Sequence, residues 1–279
     1  MAIIPQKYID ATTLIGDGTN WYATGFFVGV DEGLDSQGNS HYTTYLVTNK
    51  HVVQGQKAIC VQYNVNNGTL KQQIQLETNG NRLYSEHSVP GVDIVAIGID
   101  FLPAIQNGAF FNIFVLDKDT LSLADMRKTG VCEGSFAYSI GFPIGISGAL
   151  ASNALKAPVC RMGCISKIEH LYHQTADHAY LIDCSVYPGN SGGPIINRPE
   201  FITLANTPVN HGSKLIGIVS GYLPYEDMLI SRQTGKNMMI TDENSGLATV
   251  FSVDRIKEAI LLERERQTGL GPNQAMKLP

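Results

Sequence analysis

The segment Pro188-Gly189-Asn190-Ser191-Gly192-Gly193-Pro194 sets three glycines around one serine. Glycine reaches positive φ and lets the backbone approach a ligand closely, so the N–H groups of Gly189 and Ser191 can converge on one oxyanion beside the Ser191 hydroxyl. Taken alone, the segment reads first as a glycine-proline turn between two strands of a β protein. Its meaning depends on what else the chain carries.

A serine hydroxyl at neutral pH is a poor nucleophile unless a base takes its proton and a carboxylate holds that base in the right tautomer. Both partners have candidates upstream. The apolar strand Tyr45-Leu46-Val47-Thr48 runs into Asn49-Lys50-His51-Val52-Val53, which puts His51 just past a buried strand end. Gly91-Val92-Asp93-Ile94-Val95-Ala96-Ile97-Gly98-Ile99 puts Asp93 at the head of a second apolar strand. Singly, His51 reads as a satisfied structural histidine and Asp93 as a strand-start carboxylate. Together, in the order His, Asp, Ser, they read as a catalytic triad.

Four separated blocks, Thr24-Gly25-Phe26-Phe27-Val28, Thr48-Asn49-Lys50-His51-Val52, Asp93-Ile94-Val95-Ala96-Ile97 and Gly189-Asn190-Ser191-Gly192-Gly193-Pro194, resemble the chymotrypsin-fold, trypsin-like serine peptidases in type and order. Within that superfamily the blocks are most similar to bacterial HtrA-type peptidases, as are Ile182 to Ser191 and Gly246 to Val253. The resemblance spans Trp21 to Leu262. Cys184 departs from the small residue usual at its place, and a PDZ domain of the HtrA kind is not expected within the chain.

The resemblance implies an all-β fold of two six-stranded Greek-key β-barrels with a C-terminal α-helix. Residues 1–115 would form the first barrel, with His51 and Asp93. Residues 116–279 would supply the crossing between barrels, the second barrel with Ser191, and the helix. Short β-rich runs bounded by Gly, Asn, Asp and Pro agree with this class. The first six candidates lie at Tyr22–Val30, Thr43–Thr48, Lys57–Tyr63, Lys71–Leu76, Asn81–Tyr84 and Asp93–Ile99. The second six lie at Ser135–Ile140, Val159–Ile168, Ala179–Cys184, Gly193–Ile196, Lys214–Tyr222 and Leu247–Ser252. A short helix is predicted at Leu121–Arg127 in the crossing. A final helix is predicted at Val253–Gln267, with Ser252 as N-cap, Gly269 after its end, Glu263-Arg264-Glu265-Arg266 as a solvated terminus, and its apolar face on the second barrel.

In function, the resemblance implies a serine endopeptidase in which Ser191 attacks the peptide carbonyl, His51 relays the proton and Asp93 orients His51. The amides of Gly189 and Ser191 would form the oxyanion hole, at about 3–4 kcal/mol per donor. Ser220 matches the serine that bonds the triad carboxylate in many relatives, and reads equally well as a plain strand serine. Its strand, with Gly221 and Tyr222, would take an extended substrate by β-augmentation. Ser185 matches the base of the primary specificity pocket. With no carboxylate there a Lys or Arg preference lacks support, and Val219 stands where glutamyl peptidases carry a histidine. Tyr222 would narrow the pocket toward small or medium apolar side chains. Asn190, where zymogens carry Asp, argues against activation by a freed N-terminus. Two long segments, 198–213 and 223–245, are read as loops through which an activating protein partner would act.

The 279 residues are 43% hydrophobic and 16% charged, which places the chain among globular proteins rather than disordered ones. A net charge of −5 and the lack of a basic run exclude a phosphate-backbone binder, so no nucleic-acid partner is expected. No membrane association is expected either, because no stretch reaches spanning length and the N-terminus lacks a secretory pattern. The five scattered cysteines read as reduced thiols, so a cytoplasmic location is expected. His170, His173 and His178 match no ligand motif, and no metal or other cofactor is expected. Two rival readings stand beside the peptidase: a protease-like module that binds peptides without cleaving them, and a serine hydrolase of non-peptide acyl groups. An α/β-hydrolase would show the order Ser, Asp, His on a strand-to-helix elbow, and neither is present.

Overall fold

The strand expected at Tyr22–Val30 runs from Trp21 to Leu34, and its central residues from Ala23 to Gly29 are buried throughout. It anchors the first half of a computed structural model that describes residues 4–34, 36–145, 156–173, 177–200, 212–230, 232–235 and 237–269. In chain order the first-half strands are β1 (Thr12–Gly16), β2 (Trp21–Leu34), β3 (Ser40–Thr48), β4 (Ala58–Val65), β5 (Gly68–Gln75), β6 (Glu77–Thr78), β7 (Asn81–Arg82), β8 (Ser85–Glu86), β9 (Val95–Gly98) and β10 (Phe114–Val115). One sheet takes the order β5-β4-β1-β2-β3-β9-β8, with β10 added in parallel beside β2. Eight strands thus pair in one sheet where six are predicted. The largest surprise is β1, a fully buried Thr-Thr-Leu-Ile-Gly run that lacks the alternation by which a half-exposed strand is recognised.

The second half contains β11 (Phe136–Gly141), β12 (Val159–Lys167), β13 (Ala179–Asp183), β14 (Pro194–Asn197), β15 (Leu215–Ile230) and β16 (Asn237–Ser252), closed into a six-stranded barrel in the order β11-β12-β13-β16-β15-β14. Closure removes sheet edges that would otherwise template unwanted pairing. The segment 223–245, predicted as a loop, is instead mostly strand, because β15 and β16 continue past the barrel as a two-stranded ribbon. Pro224 and the acidic pair Glu226-Asp227 hide that strand from a pattern reading, and the proline falls at a register shift where the ladder is already broken. The other predicted loop, 198–213, lies mostly outside the described residues.

Three apolar clusters hold the halves. One lies in the first half around Phe27, Tyr63, Phe101 and Ile59. A second fills the barrel around Ile165, Ile182, Ile195, Val219 and Val250. The third joins the two, with Phe26, Val28, Tyr45, Val47 and Phe114 meeting Ile140, Ile196, Leu215, Ile218 and Phe251. Each fully buried side chain of this kind contributes about 1.5–3 kcal/mol by leaving water.

The helices are α1 (Gln6–Asp10), α2 (Lys50–Val53), α3 (Leu102–Gln106), α4 (Leu123–Lys128), α5 (Glu169–Tyr172) and α6 (Val253–Thr268). α6 is the C-terminal helix, and three of its expected details change. Val253, Ile256, Ala259 and Ile260 recur at helical spacing and enter the shared cluster, so the helix packs on both halves rather than on the second barrel alone. Ser85 Oγ donates to Leu262 O at 3.3 Å, and the Arg266 guanidinium donates to Leu83 O at 2.8 Å. Ser252 holds the N-cap position without a side-chain capping bond. The terminus predicted as solvated is so only at Arg266: Glu263 is 0% exposed and accepts from Arg266, Gln267 and the Gly98 N–H, while Arg264 and Glu265 are half-buried and Arg264 pairs with Glu32 at 2.7 Å. Full pairing is what allows a carboxylate to sit there.

Candidate active site

His51 lies in α2, one helical turn directly after β3, and Asp93 lies two residues before β9, the neighbour of β3 in the sheet. Adjacent strand ends therefore bring the two side chains together. His51 Nδ1 is 2.6 Å from Asp93 Oδ2, and the His51 backbone N–H donates to Asp93 Oδ1 at 3.0 Å. A carboxylate only accepts, so Nδ1 carries the proton and Nε2 is left as the basic nitrogen. Ser220 Oγ adds a third bond by donating to Asp93 Oδ2 at 3.0 Å. Of the two readings of Ser220, the structure realises the one in which it bonds the carboxylate.

The Ser191 turn sits between β13 and β14. Gly189 (φ +99°) and Gly192 (φ +83°) adopt the left-handed region, where a side chain would be strained. A Cβ on Gly189 would fall 2.4 Å from Phe142 O, and one on Gly192 would fall 2.1 Å from Thr24 O. Pro188 O accepts from the Ile144 N–H at 2.6 Å. Across a trans peptide the carbonyl and the next N–H point oppositely, so this bond turns the Gly189 N–H away from Ile144. Asn190 N–H donates to Tyr187 O and Gly192 N–H to Val219 O, each at 2.9 Å, whereas the N–H groups of Gly189 and Ser191 have no partner among the described residues. Two unspent donors on either side of Asn190 suit an anion binder.

Ser191, His51, Ser220, Gly221 and Tyr222 line one open cavity of about 330 Å³, with Val186, Tyr187 and Val219 as its apolar walls. No hydrogen bond joins Ser191 Oγ to His51 among the described residues. Ser185 is not a lining residue. Residues 183–187 alternate, with Cys184 and Val186 buried and Asp183, Ser185 and Tyr187 exposed, so Ser185 faces solvent and the wall falls to Val186. Tyr187 is backed by the Arg161 guanidinium 5.1 Å from its ring centre. Burial raises the Cys184 thiol above its ordinary range, which favours an inert packed thiol.

Two positioning residues carry no distinctive signal in the sequence. Thr24, in β2, bonds the serine turn from the other half of the molecule. Its Oγ1 donates to Gly189 O at 2.6 Å and accepts from the Phe142 N–H at 3.0 Å, and its own N–H donates to Ser191 O at 3.0 Å. Thr48 Oγ1 in turn donates to Thr24 O at 2.8 Å. Asn49 is buried and its Nδ2 donates to Asp93 O at 2.7 Å, fixing the backbone under the carboxylate. Both sit inside the quoted motif blocks; a buried hydroxyl or amide always needs a partner, but only the fold says which. His170, His173 and His178 do not converge: His170 contacts Ala179 O, His173 contacts Glu169, and His178 contacts Arg255.

A histidine-aspartate pair on one half and a glycine-cradled serine on the other, facing one cavity in an all-β molecule, define the chymotrypsin-like class of folds. The sequence profile of the trypsin-like peptidase domain matches residues 23–200, and the chain belongs to that family. Among solved structures, the chain is similar to the MamO protease domain from Magnetospirillum magneticum in its apo form, at 18% identity and a TM-score of 0.49, over 91% of this chain and 97% of that one. It is also similar to the HtrA-type protease AlgW with a tripeptide, at 19% identity and a TM-score of 0.49, over 95% of this chain and 62% of AlgW. No curated protein sequence matches the chain. Among the described residues, no helix is long and apolar enough to cross a membrane.

Proposed function

We propose that the protein is a serine endopeptidase with His51, Asp93 and Ser191 as its catalytic triad. The observation that carries this reading is the chain of hydrogen bonds from Ser220 through Asp93 to His51 Nδ1, ending at a cavity that Ser191 also lines. In this mechanism Ser191 Oγ bonds to the substrate carbonyl carbon as its proton passes to His51 Nε2. The oxyanion is held by the free amides of Gly189 and Ser191. The C–N bond then breaks, His51 returns the proton to the leaving amine, and an ester to Ser191 remains. Water repeats the sequence, giving its proton to His51 and releasing the acid and the free serine. Asp93 stays ionised throughout and stabilises the imidazolium.

Val186, Val219 and Tyr222 around the cavity support a preference for small or medium apolar side chains at the residue before the cut. The free state of all five cysteines supports a reducing, cytoplasmic setting. A second reading, activity that waits for a protein partner, is favoured by one observation: Ser191 and His51 share the cavity without a hydrogen bond between them.

Wild type and Ser191→Ala should be compared on an unfolded protein substrate by mapping newly formed N-termini. Cuts after apolar residues that vanish in Ser191→Ala are expected. Identical cuts by both proteins would overturn the assignment, and cuts mainly after basic or acidic residues would overturn the pocket reading.

A further inference from the structure

The β15–β16 ribbon grows directly out of the strand that lines the cavity. Ser220, Gly221 and Tyr222 are lining residues, and β15 continues to Ile230, with register shifts against β16 after Val219, Tyr222 and Leu229. On one edge β15 pairs with β16 all the way to Ile230↔Asn237. On the other edge its pairing with β14 ends at Ile218, and among the described residues no strand covers it beyond that point. The uncovered edge from Tyr222 to Ile230 is about 27 Å long at ~3.4 Å per residue. It carries exposed apolar side chains, with Tyr225 60%, Leu229 54% and Ile230 58% exposed. Pro224, Glu226 and Asp227 on the same stretch limit indiscriminate pairing at this edge, which is otherwise a template for another strand.

The ribbon carries a second feature. Glu226 and Asp242 stand directly opposite each other, Tyr225 faces Glu243, and Asp227 follows. All four carboxylates are exposed, and none has an ion-pair partner among the described residues. Like charges directly opposite across a ladder destabilise it, so this ribbon is relieved by a cationic strand laid along it.

We infer that the free edge of β15 is an extended substrate platform that takes, as an added antiparallel strand, the polypeptide N-terminal to the scissile bond and selects basic residues in its distal part. The inference rests on the peptidase reading of Ser191. Direction follows from the fold: β15 runs outward from the cavity, so an antiparallel guest runs inward and delivers the carbonyl at its C-terminal end to Ser191. Perpendicular, unslanted bonds make the antiparallel arrangement the better ladder. Successive residues of β15 face opposite sides, so Glu226 and Asp242 share one face while Asp227 and Glu243 share the other with Tyr225 and Leu229. A guest with Lys or Arg on the first face, about six to nine residues before the cut, would meet Glu226 and Asp242, while its alternate apolar residues would cover Tyr225 and Leu229. The occupant is therefore an extended basic-apolar chain rather than a compact folded surface.

The test is binding of fluorescein-labelled peptides of about twelve residues to the Ser191→Ala protein, followed by anisotropy. One peptide alternates Lys with Val in its N-terminal half, a second carries Glu in place of Lys, and a third lacks that half. The Lys peptide should bind about tenfold more tightly than either of the others, the sum of several exposed ion pairs. The advantage should shrink with added salt and disappear in the background Glu226→Gln, Asp227→Asn, Asp242→Asn, Glu243→Gln. Equal binding of the three peptides, or an advantage that survives the fourfold substitution, would overturn the platform. If the fourfold variant does not fold, the three-peptide comparison on Ser191→Ala decides alone. Fluorophosphonate labelling of the unsubstituted protein reports on Ser191 separately. Selective binding without labelling keeps the platform and removes the catalysis, while labelling without selectivity removes only the platform.

Discussion

The two halves of the molecule solve their packing differently. The first is built on rings: Phe27 meets Phe101 edge-on at 4.9 Å and stacks with Tyr63 at 5.5 Å, and Phe101 and Phe111 lie 4.2 Å apart. The second is largely aliphatic, a closed barrel of Ile and Val with two buried tyrosines, Tyr172 and Tyr180. The difference extends to the site. The first half places His51 and Asp93 on neighbouring strand ends, where backbone and side-chain bonds fix them within one sheet. The second half offers Ser191 on a glycine turn, and much of what holds that turn is Thr24, a residue of the first half. The His51–Asp93 pair is thus held mainly within its own half, with one bond from Ser220 of the other, and the Ser191 turn is held largely across the interface, so the halves are joined at the site even though each has its own core.

That contrast can be broken at several points. Asp93→Asn acts on the local pair. With the wrong His51 tautomer favoured, kcat should fall about 10⁴-fold while thermal stability changes little, measured with a peptide substrate and a melting curve. Thr24→Val acts across the interface and keeps the volume of the side chain while deleting its bonds to Gly189 O and the Phe142 N–H. A misplaced turn should lower kcat about 10²-fold with the His51–Asp93 pair intact. A loss in Thr24→Val confined to KM would instead assign Thr24 to substrate binding. Ser220→Ala removes one of three donors to Asp93 and should cost about tenfold in kcat/KM, close to a single charge-assisted hydrogen bond.

The mildest effect concerns Lys156, which follows the undescribed segment 146–155 yet is held by the first half. Its N–H donates to Asn64 Oδ1, its carbonyl accepts from Asn64 Nδ2, and its ammonium donates to Thr12 O. Burial pushes this amine down from its ordinary 10.5 to about 7. The unfolded chain then holds a proton that the folded chain releases, so folding becomes more favourable as pH rises from about 7 to 10.5. Lys156→Met should lack that rise. The melting temperature of the wild type should therefore gain on the variant by several degrees across this window. Parallel pH profiles would show that Lys156 keeps its charge on folding.

Much of this arrangement is readable from residue order. The glycines around Ser191, the histidine after a buried strand and the aspartate before another are local patterns with local causes, and they identify the fold class and the candidate triad together. What the sequence conceals is non-local. β1 is fully buried and so lacks a period-2 signal. Glu263 looks solvated until its partners Gly98, Arg266 and Gln267 arrive from two elements. Ser185 sits at the position aligned with the pocket base, yet the alternation of residues 183–187 turns it outward. The ribbon at 223–245 contains a proline and two adjacent acids, and only pairing with β16 makes it a strand.

The central claim is that Ser191, and no other hydroxyl, is activated by groups from the opposite half. Intact-mass analysis after exposure to a fluorophosphonate, with peptide mapping of the adduct, tests it most directly. One adduct on Ser191 is expected in the wild type, none in Ser191→Ala, and a rate reduced about 10²-fold or more in His51→Ala. An adduct that forms equally fast on Ser191→Ala, or a labelling rate indifferent to His51, would contradict the account.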